Sequence, residues 1–182
     1  VLPNLRAALT YRRIALAQLI AMLRGVVDRN VFDKTVLSRP SYEVGTRLAK
    51  QFAKLGIGIA IFRDLSEVGE REFKIIQRVA LDTAPDRIET IVRRLWTAKT
   101  ALKTLEISDL TRLPQATVFR VLQDLELLRI VDRSGDGQKH MWSLNSKIVS
   151  LIQRSGVYDV PLVSYVPSVK PSPLKLRTAV RS

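Results

Sequence analysis

The sequence predicts a mainly α-helical protein: an N-terminal bundle of helices packed on a C-terminal unit of two short helices, a tight turn and a small β-hairpin. Three observations carry this prediction. The first eighty-five residues are a succession of Leu-, Ala- and Ile-rich stretches with helical periodicity, broken at Gly, Asn and Pro. Leu113 to Leu128 (LPQATVFRVLQDLELL) repeats apolar residues at helical spacing directly after a short polar-apolar segment, Thr104 to Arg112 (TLEISDLTR). Two β-like runs, Ile130 to Arg133 and Lys139 to Leu144, then flank a Gly135-Asp136-Gly137 turn.

Taken in order, Leu5 to Val27 reads as a long amphipathic helix burying one side, with Leu9, Leu16, Leu19 and Leu23 among its repeats. Arg6, Arg12, Arg13 and Arg24 leave no uncharged run long enough to cross a bilayer. Gly25 and Asp28 to Asn30 end it, and residues 31–41 form a connection closed by Arg39-Pro40-Ser41. A second helix runs from Tyr42 or Thr46 to Arg63, its apolar face marked by Leu48, Phe52, Leu55, Ile59 and Phe62. Gly56 and Gly58 each cost a helix about 1 kcal/mol, so they are expected to mark a close helix contact. They are no phosphate loop, because the GxxxxGK[ST] pattern is absent from the sequence.

The third helix is expected to begin at Gly69 as N-cap, with Glu70 and Glu72 at its positive end and Val68 stapled onto Phe73. Phe73, Ile76, Val79 and Ala80 point inward, and the helix stops near Asp82. Thr83 is the expected cap of the next helix, with Pro85 in its first turn and Ile88, Val92, Leu95, Trp96 and Leu102 along it. The expected organisation is a helical domain at 1–85, a second domain at 86–156, and a Pro-rich basic tail at 157–182.

In the second domain, Val118, Leu122 and Leu125 form the buried stripe, widened by Val121 and Leu128. Pro114 suits the first helical turn, where its missing N–H costs nothing. Gln115, Thr117, Arg120 and Gln123 lie off that stripe. Gln115, Ala116, Thr117 and Arg120, near the N-terminal end, could reach base edges in a major groove. The same pattern also describes an amphipathic helix with a solvated polar face. Arg112 and the hairpin residues Arg133 and Lys139 are candidates for phosphate or minor-groove contact, although Asp132 and Asp136 oppose this and a structural hairpin fits as well. Trp142 is expected in the core, and Ser146 to Arg154 as a closing helix.

Helix, tight turn, helix, hairpin is the order of a winged helix-turn-helix. LPQATVFRVLQDLELLRIV resembles the recognition helix of bacterial winged-helix regulators of the IclR, ArsR and MarR kinds, most of all the IclR form. Thr111, Leu113, Pro114, Thr117, Val118, Arg120 and Leu122 match in place. The resemblance implies double-stranded DNA binding. Arg112 and Arg129 depart from it, standing where such proteins usually carry Gly, so a left-handed backbone there costs about 1 kcal/mol or more.

The N-terminal half is similar to the helical lid that follows the ATPase core of some AAA+ proteins, including minichromosome-maintenance-type helicases. It carries Gly45-Thr46-Arg47-Leu48-Ala49, then Glu67-Val68 and Arg71-Glu72-Phe73, then Arg78-Val79-Ala80-Leu81-Asp82-Thr83-Ala84-Pro85. The resemblance implies a sensor-2 role for Arg47 toward a nucleotide γ-phosphate, whereas the residue alone reads as a surface arginine. Without a P-loop, Walker-B acid or arginine finger, this chain is expected not to be an enzyme. It is expected to hold no cofactor itself, with ATP bound by a larger parent protein. The start at Val1, not Met, and the lack of a signal pattern fit a fragment of a longer, cytoplasmic protein.

Composition narrows the function further. The chain has no cysteine, which removes disulfides, thiol nucleophiles and thiolate metal sites, and a single histidine, His140, read as a wing or surface residue. Its formal charge of +13 is spread over every segment: +6 for 1–85, +3 for 86–160 and +4 for 161–182. That excess favours a polyanionic partner. Aromatics make up 6% of the chain and form no stacking ladder, which argues against single-strand binding. Double-stranded DNA is therefore the expected partner, with a homo-oligomer open and no membrane. The alternatives are a winged helix used as a protein-interaction scaffold, or a transcriptional regulator whose helical half oligomerises.

Overall fold

The computed structural model describes residues 3–33, 35–135 and 140–159; Lys139, the rest of the expected turn after Gly135, and the tail beyond Asp159 lie outside them. Among the described residues there are seven α-helices: α1 (Ala7–Leu23), α2 (Thr46–Phe62), α3 (Glu70–Asp82), α4 (Asp86–Ala98), α5 (Thr104–Thr111), α6 (Gln115–Leu127) and α7 (Ser146–Ser155). Strands β1 (Asn4–Leu5) and β2 (Glu67–Val68) pair in parallel. Strands β3 (Leu102–Lys103), β4 (Val131–Ser134) and β5 (Met141–Leu144) form an antiparallel sheet in the order β3-β5-β4. The protein is mainly α, with a small sheet near the C-terminal end.

The first helix differs from its expected one-sided burial. From Ala15 to Leu23 every residue except Gln18 is buried. The cause is its place in the fold, since α2, α3 and α7 all pack against it. A helix enclosed in this way needs no polar face. One continuous core results, running from Leu9 on α1 through Phe73, Leu95 and Leu122 to Val157.

Along α2 the buried residues form an i, i+4 row, Leu48, Phe52, Gly56 and Ala60. Phe62 is off this row and 91% exposed, contrary to the expected face. Gly56 does mark a close contact with α3, because a Cβ there would come 3.0 Å from Ile76 Cδ1. Gly58 does not, having nothing within 4 Å of its Cβ position. At the start of α3, the Gly69 N–H donates to Glu72 Oε2 (3.1 Å), and Val68 and Phe73 are both fully buried. Phe73, Ile76, Gln77 and Ala80 make its inward stripe, which leaves Val79 exposed at the edge.

Two helix boundaries also differ. Thr83 closes α3 instead of opening α4: its hydroxyl donates to Ala80 O at 2.7 Å, a back-bond that competes with capping the next helix. Pro85 then stands at the N-cap of α4. Helix α4 ends at Ala98 because Lys99 turns left-handed (φ 56°), which puts Leu102 on β3, paired with Trp142, instead of on the helix. Past α7 the chain stays in the body for one 3₁₀ turn, Val157–Asp159, with Val157 fully buried. The tail expected from 157 therefore has its first three residues in the fold.

The connection expected at 31–41 is the largest departure. The chain doubles back over residues 26–41, with antiparallel bridges Val26–Ser41 and Arg29–Val36. No helix among the described residues is long and apolar enough to cross a membrane.

Candidate nucleic-acid interface

Helices α5 and α6 are joined by a turn that the sequence builds locally. The Thr111 hydroxyl donates to Ile107 O (2.7 Å), and Arg112 takes a left-handed conformation (φ 57°) that ends α5. The Ser108 hydroxyl then donates to Leu113 O at 2.6 Å, holding the turn to the helix it leaves. Pro114 is extended (ψ 136°) and serves as N-cap, so α6 starts at Gln115.

Val118, Leu122 and Leu125 are the buried residues of α6, as the periodicity requires. Roughly opposite them at about 100° per residue lie Ala116, Arg120, Gln123 and Leu127. Ala116, Arg120 and Leu127 are exposed and Gln123 is half-buried. Gln115 and Arg112 are also exposed, at the N-terminal end of the same helix. Thr117 is half-buried on one flank. The structure thus brings Arg112, Gln115, Ala116 and Arg120 to one end of α6.

Two ion pairs brace its flanks. Arg133 on β4 lies 3.2 Å from Glu126 Oε1, so its guanidinium is tied to α6. On the other flank, Arg29 Nη2 lies 2.6 Å from Asp124 Oδ1. The sector between them, which holds Ala116, Arg120 and Leu127, stays open. Arg112, Arg120 and Lys103 form no ion pair among the described residues.

Beside the N-terminal end of α6 is a groove of about 520 Å³, lined by Lys103, Thr104, Leu105, Gln115, Ala116, Phe119 and His140. Trp142 underlies it, fully buried as expected, its indole N–H donating to the Thr104 hydroxyl at 3.0 Å. Phe119 and His140 meet the Trp142 ring edge-on, with centroids 6.3 and 6.4 Å away. Lys103 and His140 are groove residues that the sequence reading did not assign there. Lys103 reaches the site because β3 pairs with β5, a two-residue strand with no sequence signature of its own. His140 is half-buried, and its Nδ1 is enclosed without a hydrogen-bond partner among the described residues.

No family model, curated protein or solved structure matches this chain.

Arg47 stands apart from the groove beside α6. It is on the first turn of α2, largely exposed, and paired with Glu43 at 2.8 Å. Among the described residues no group of three or more His, Cys, Asp or Glu could hold a metal ion.

Proposed function

We propose that this chain binds double-stranded DNA through residues 86–156, acting as a winged helix-turn-helix with α6 in the major groove. The order α4–β3–α5–α6–β4–β5, with sheet order β3-β5-β4, supports that architecture. The observation that carries the reading is the open sector of α6. Its apolar stripe is sealed into the core, while Arg120, Ala116 and Gln115 face outward beside Arg112 and Lys103, which form no ion pair among the described residues. Arg120 and Gln115 have the chemistry to read base edges, and Arg112 and Lys103 that to hold phosphates. Arg133 acts mainly by fixing the hairpin to Glu126.

The test is a duplex-binding titration at two salt concentrations with the wild-type chain and the Arg120→Ala and Gln115→Ala variants. Each is expected to lose about 1–3 kcal/mol of sequence discrimination per base contact removed. Lys139→Ala is expected to weaken all duplexes alike and flatten the salt dependence. Unchanged affinity in all three variants would refute the reading. The AAA+ lid resemblance adds the proposal that a larger ATP-binding protein presents this module. Arg47 would then have to leave Glu43 to reach a nucleotide.

A further inference from the structure

The doubled-back segment 26–41 is built, not merely connecting. Its Arg29–Val36 bridge is made by Leu37 N–H donating to Asp28 O and Asn30 N–H to Thr35 O, both at 2.9 Å. At the turn, Phe32 N–H donates to Asn30 Oδ1 (2.8 Å), and the Thr35 N–H and hydroxyl both donate to Asp33 Oδ1 (3.0 and 2.8 Å). Side chains thus cap the backbone N–H groups of Phe32 and Thr35, while the Phe32 ring stands in solvent, 94% exposed. A fully exposed aromatic ring forgoes the burial that usually places it inside.

Two contacts give the hairpin its direction. Gly25 packs so closely on Leu128 that a Cβ would come 2.7 Å from Leu128 Cδ2, and four residues on Arg29 is paired with Asp124. The segment therefore meets α6 at Leu128 and, through the Arg29 side chain, one helical turn earlier at Asp124, with Phe32 three residues beyond that anchor. Asp124 and Glu126 are about 160° apart on the helix. The hairpin at Asp124 and the β4–β5 wing at Glu126 consequently stand on opposite flanks of the open sector. Arg39 and Arg129, both exposed, line a cavity of about 330 Å³ at the hairpin's root together with Tyr42 and Leu127.

We propose that the 26–41 hairpin is a second DNA arm, which places Phe32 in the minor groove on the side of α6 away from the wing. This rests on the DNA-binding reading above. Minor grooves adjoin the major groove on both sides, so a duplex that receives α6 passes one flank at the wing and the other at the hairpin. A projecting phenylalanine is the kind of side chain that wedges into a base step and kinks the duplex, and Arg39 and Arg129 supply phosphate contacts behind it.

The test uses the full chain with 30-base-pair duplexes of mixed sequence, carrying 2-aminopurine for unstacking and a dye at each end for bending. Wild type, Phe32→Ala, Phe32→Trp and Arg120→Ala are compared. Phe32→Ala is expected to weaken binding about tenfold, to leave the salt slope unchanged, and to abolish both the 2-aminopurine rise and the bend. Phe32→Trp is expected to keep both signals. Equal thermal stability of the Phe32 variants shows that the fold is not at issue. If Arg120→Ala weakens binding while Phe32→Ala binds and bends DNA as wild type does, the arm is refuted and the DNA reading stands. Self-association that depends on Phe32, with DNA binding unaffected, refutes the arm in favour of a contact between copies. If the wild-type chain shows no salt-dependent duplex binding, the DNA reading itself fails and the arm with it.

Discussion

Arg29 and Asp124 are 95 positions apart in the chain, yet the Arg29 Nε and Nη2 both reach the same carboxylate oxygen, Oδ1, at 2.7 and 2.6 Å. Both side chains are largely shielded, 19% and 29% exposed. The pair ties the 26–41 hairpin to α6 and so relates the two halves of the chain at the proposed interface. Asp124→Ala removes both of these contacts from a largely shielded pair, and it is expected to cost about 1–3 kcal/mol in urea unfolding. Arg47→Ala, which removes the exposed member of the Arg47–Glu43 pair, is expected to cost well under that. Equal costs would show that the Arg29 pair does not anchor the hairpin.

A second joint lies where α3 meets the end of α7. The buried Gln77 side-chain amide donates to Ser155 O (2.8 Å) and Gly156 O (2.9 Å), satisfying two carbonyls at a helix end. Gln77→Leu keeps the volume and removes both donors, so it is expected to destabilise by about 2–4 kcal/mol. Gly156 is left-handed (φ 60°), and a Cβ there would come 3.1 Å from both Arg12 Nη2 and Asp159 Oδ2. Gly156→Ala is expected to cost about 1 kcal/mol or more from backbone conformation alone. Thermal melts of both variants check these values; a neutral Gln77→Leu would mean water replaces the lost donor.

How much of this was legible follows from the range of the forces involved. The stripe Val118-Leu122-Leu125 and the capping of α3 by Glu72 depend on neighbours within a turn or two, and the sequence displays them. The enclosure of α1, the pairing of Leu102 with Trp142 and the meeting of Arg29 with Asp124 depend on partners far along the chain. No local pattern encodes those partners. Thr83 failed for a different reason, since a threonine between two helices can bond back to the first or cap the second, and only the geometry decides. At the site, the exposed end of α6 was readable, whereas Lys103 reached the groove through the pairing of β3 with β5.

Acid stability should depend on Glu72. Burial pushes its carboxyl up, but the hydrogen bond from Arg63 (2.8 Å), the backbone N–H groups of Glu72 and Gly69 and the Arg63 charge together hold it below the ordinary range. A carboxyl lowered in the folded state stabilises the fold fully above its unfolded value, near 4.5, and that contribution is lost as pH falls through the folded value. Urea midpoints measured from pH 7 to pH 3 should therefore show wild type more stable than Glu72→Gln at neutral pH, with the gap narrowing below about pH 4.5. A gap that stays constant with pH would remove Glu72 from the acid transition.

The turn between α5 and α6 sets stability against binding. Arg112 holds a left-handed conformation (φ 57°) that a residue with a Cβ adopts at a cost, and it forms no ion pair among the described residues to offset this. Arg112→Gly is expected to relieve strain and raise stability by about 0.5–1 kcal/mol, since Gly takes this conformation freely while its looser unfolded chain returns part of the gain. The same change removes a proposed phosphate contact, so duplex affinity should fall and the salt slope should drop by about one. Paired denaturation and salt-titration experiments read both quantities on one preparation. Lower stability would mean the strain lies elsewhere in the turn, and an unchanged salt slope would mean Arg112 does not touch phosphate.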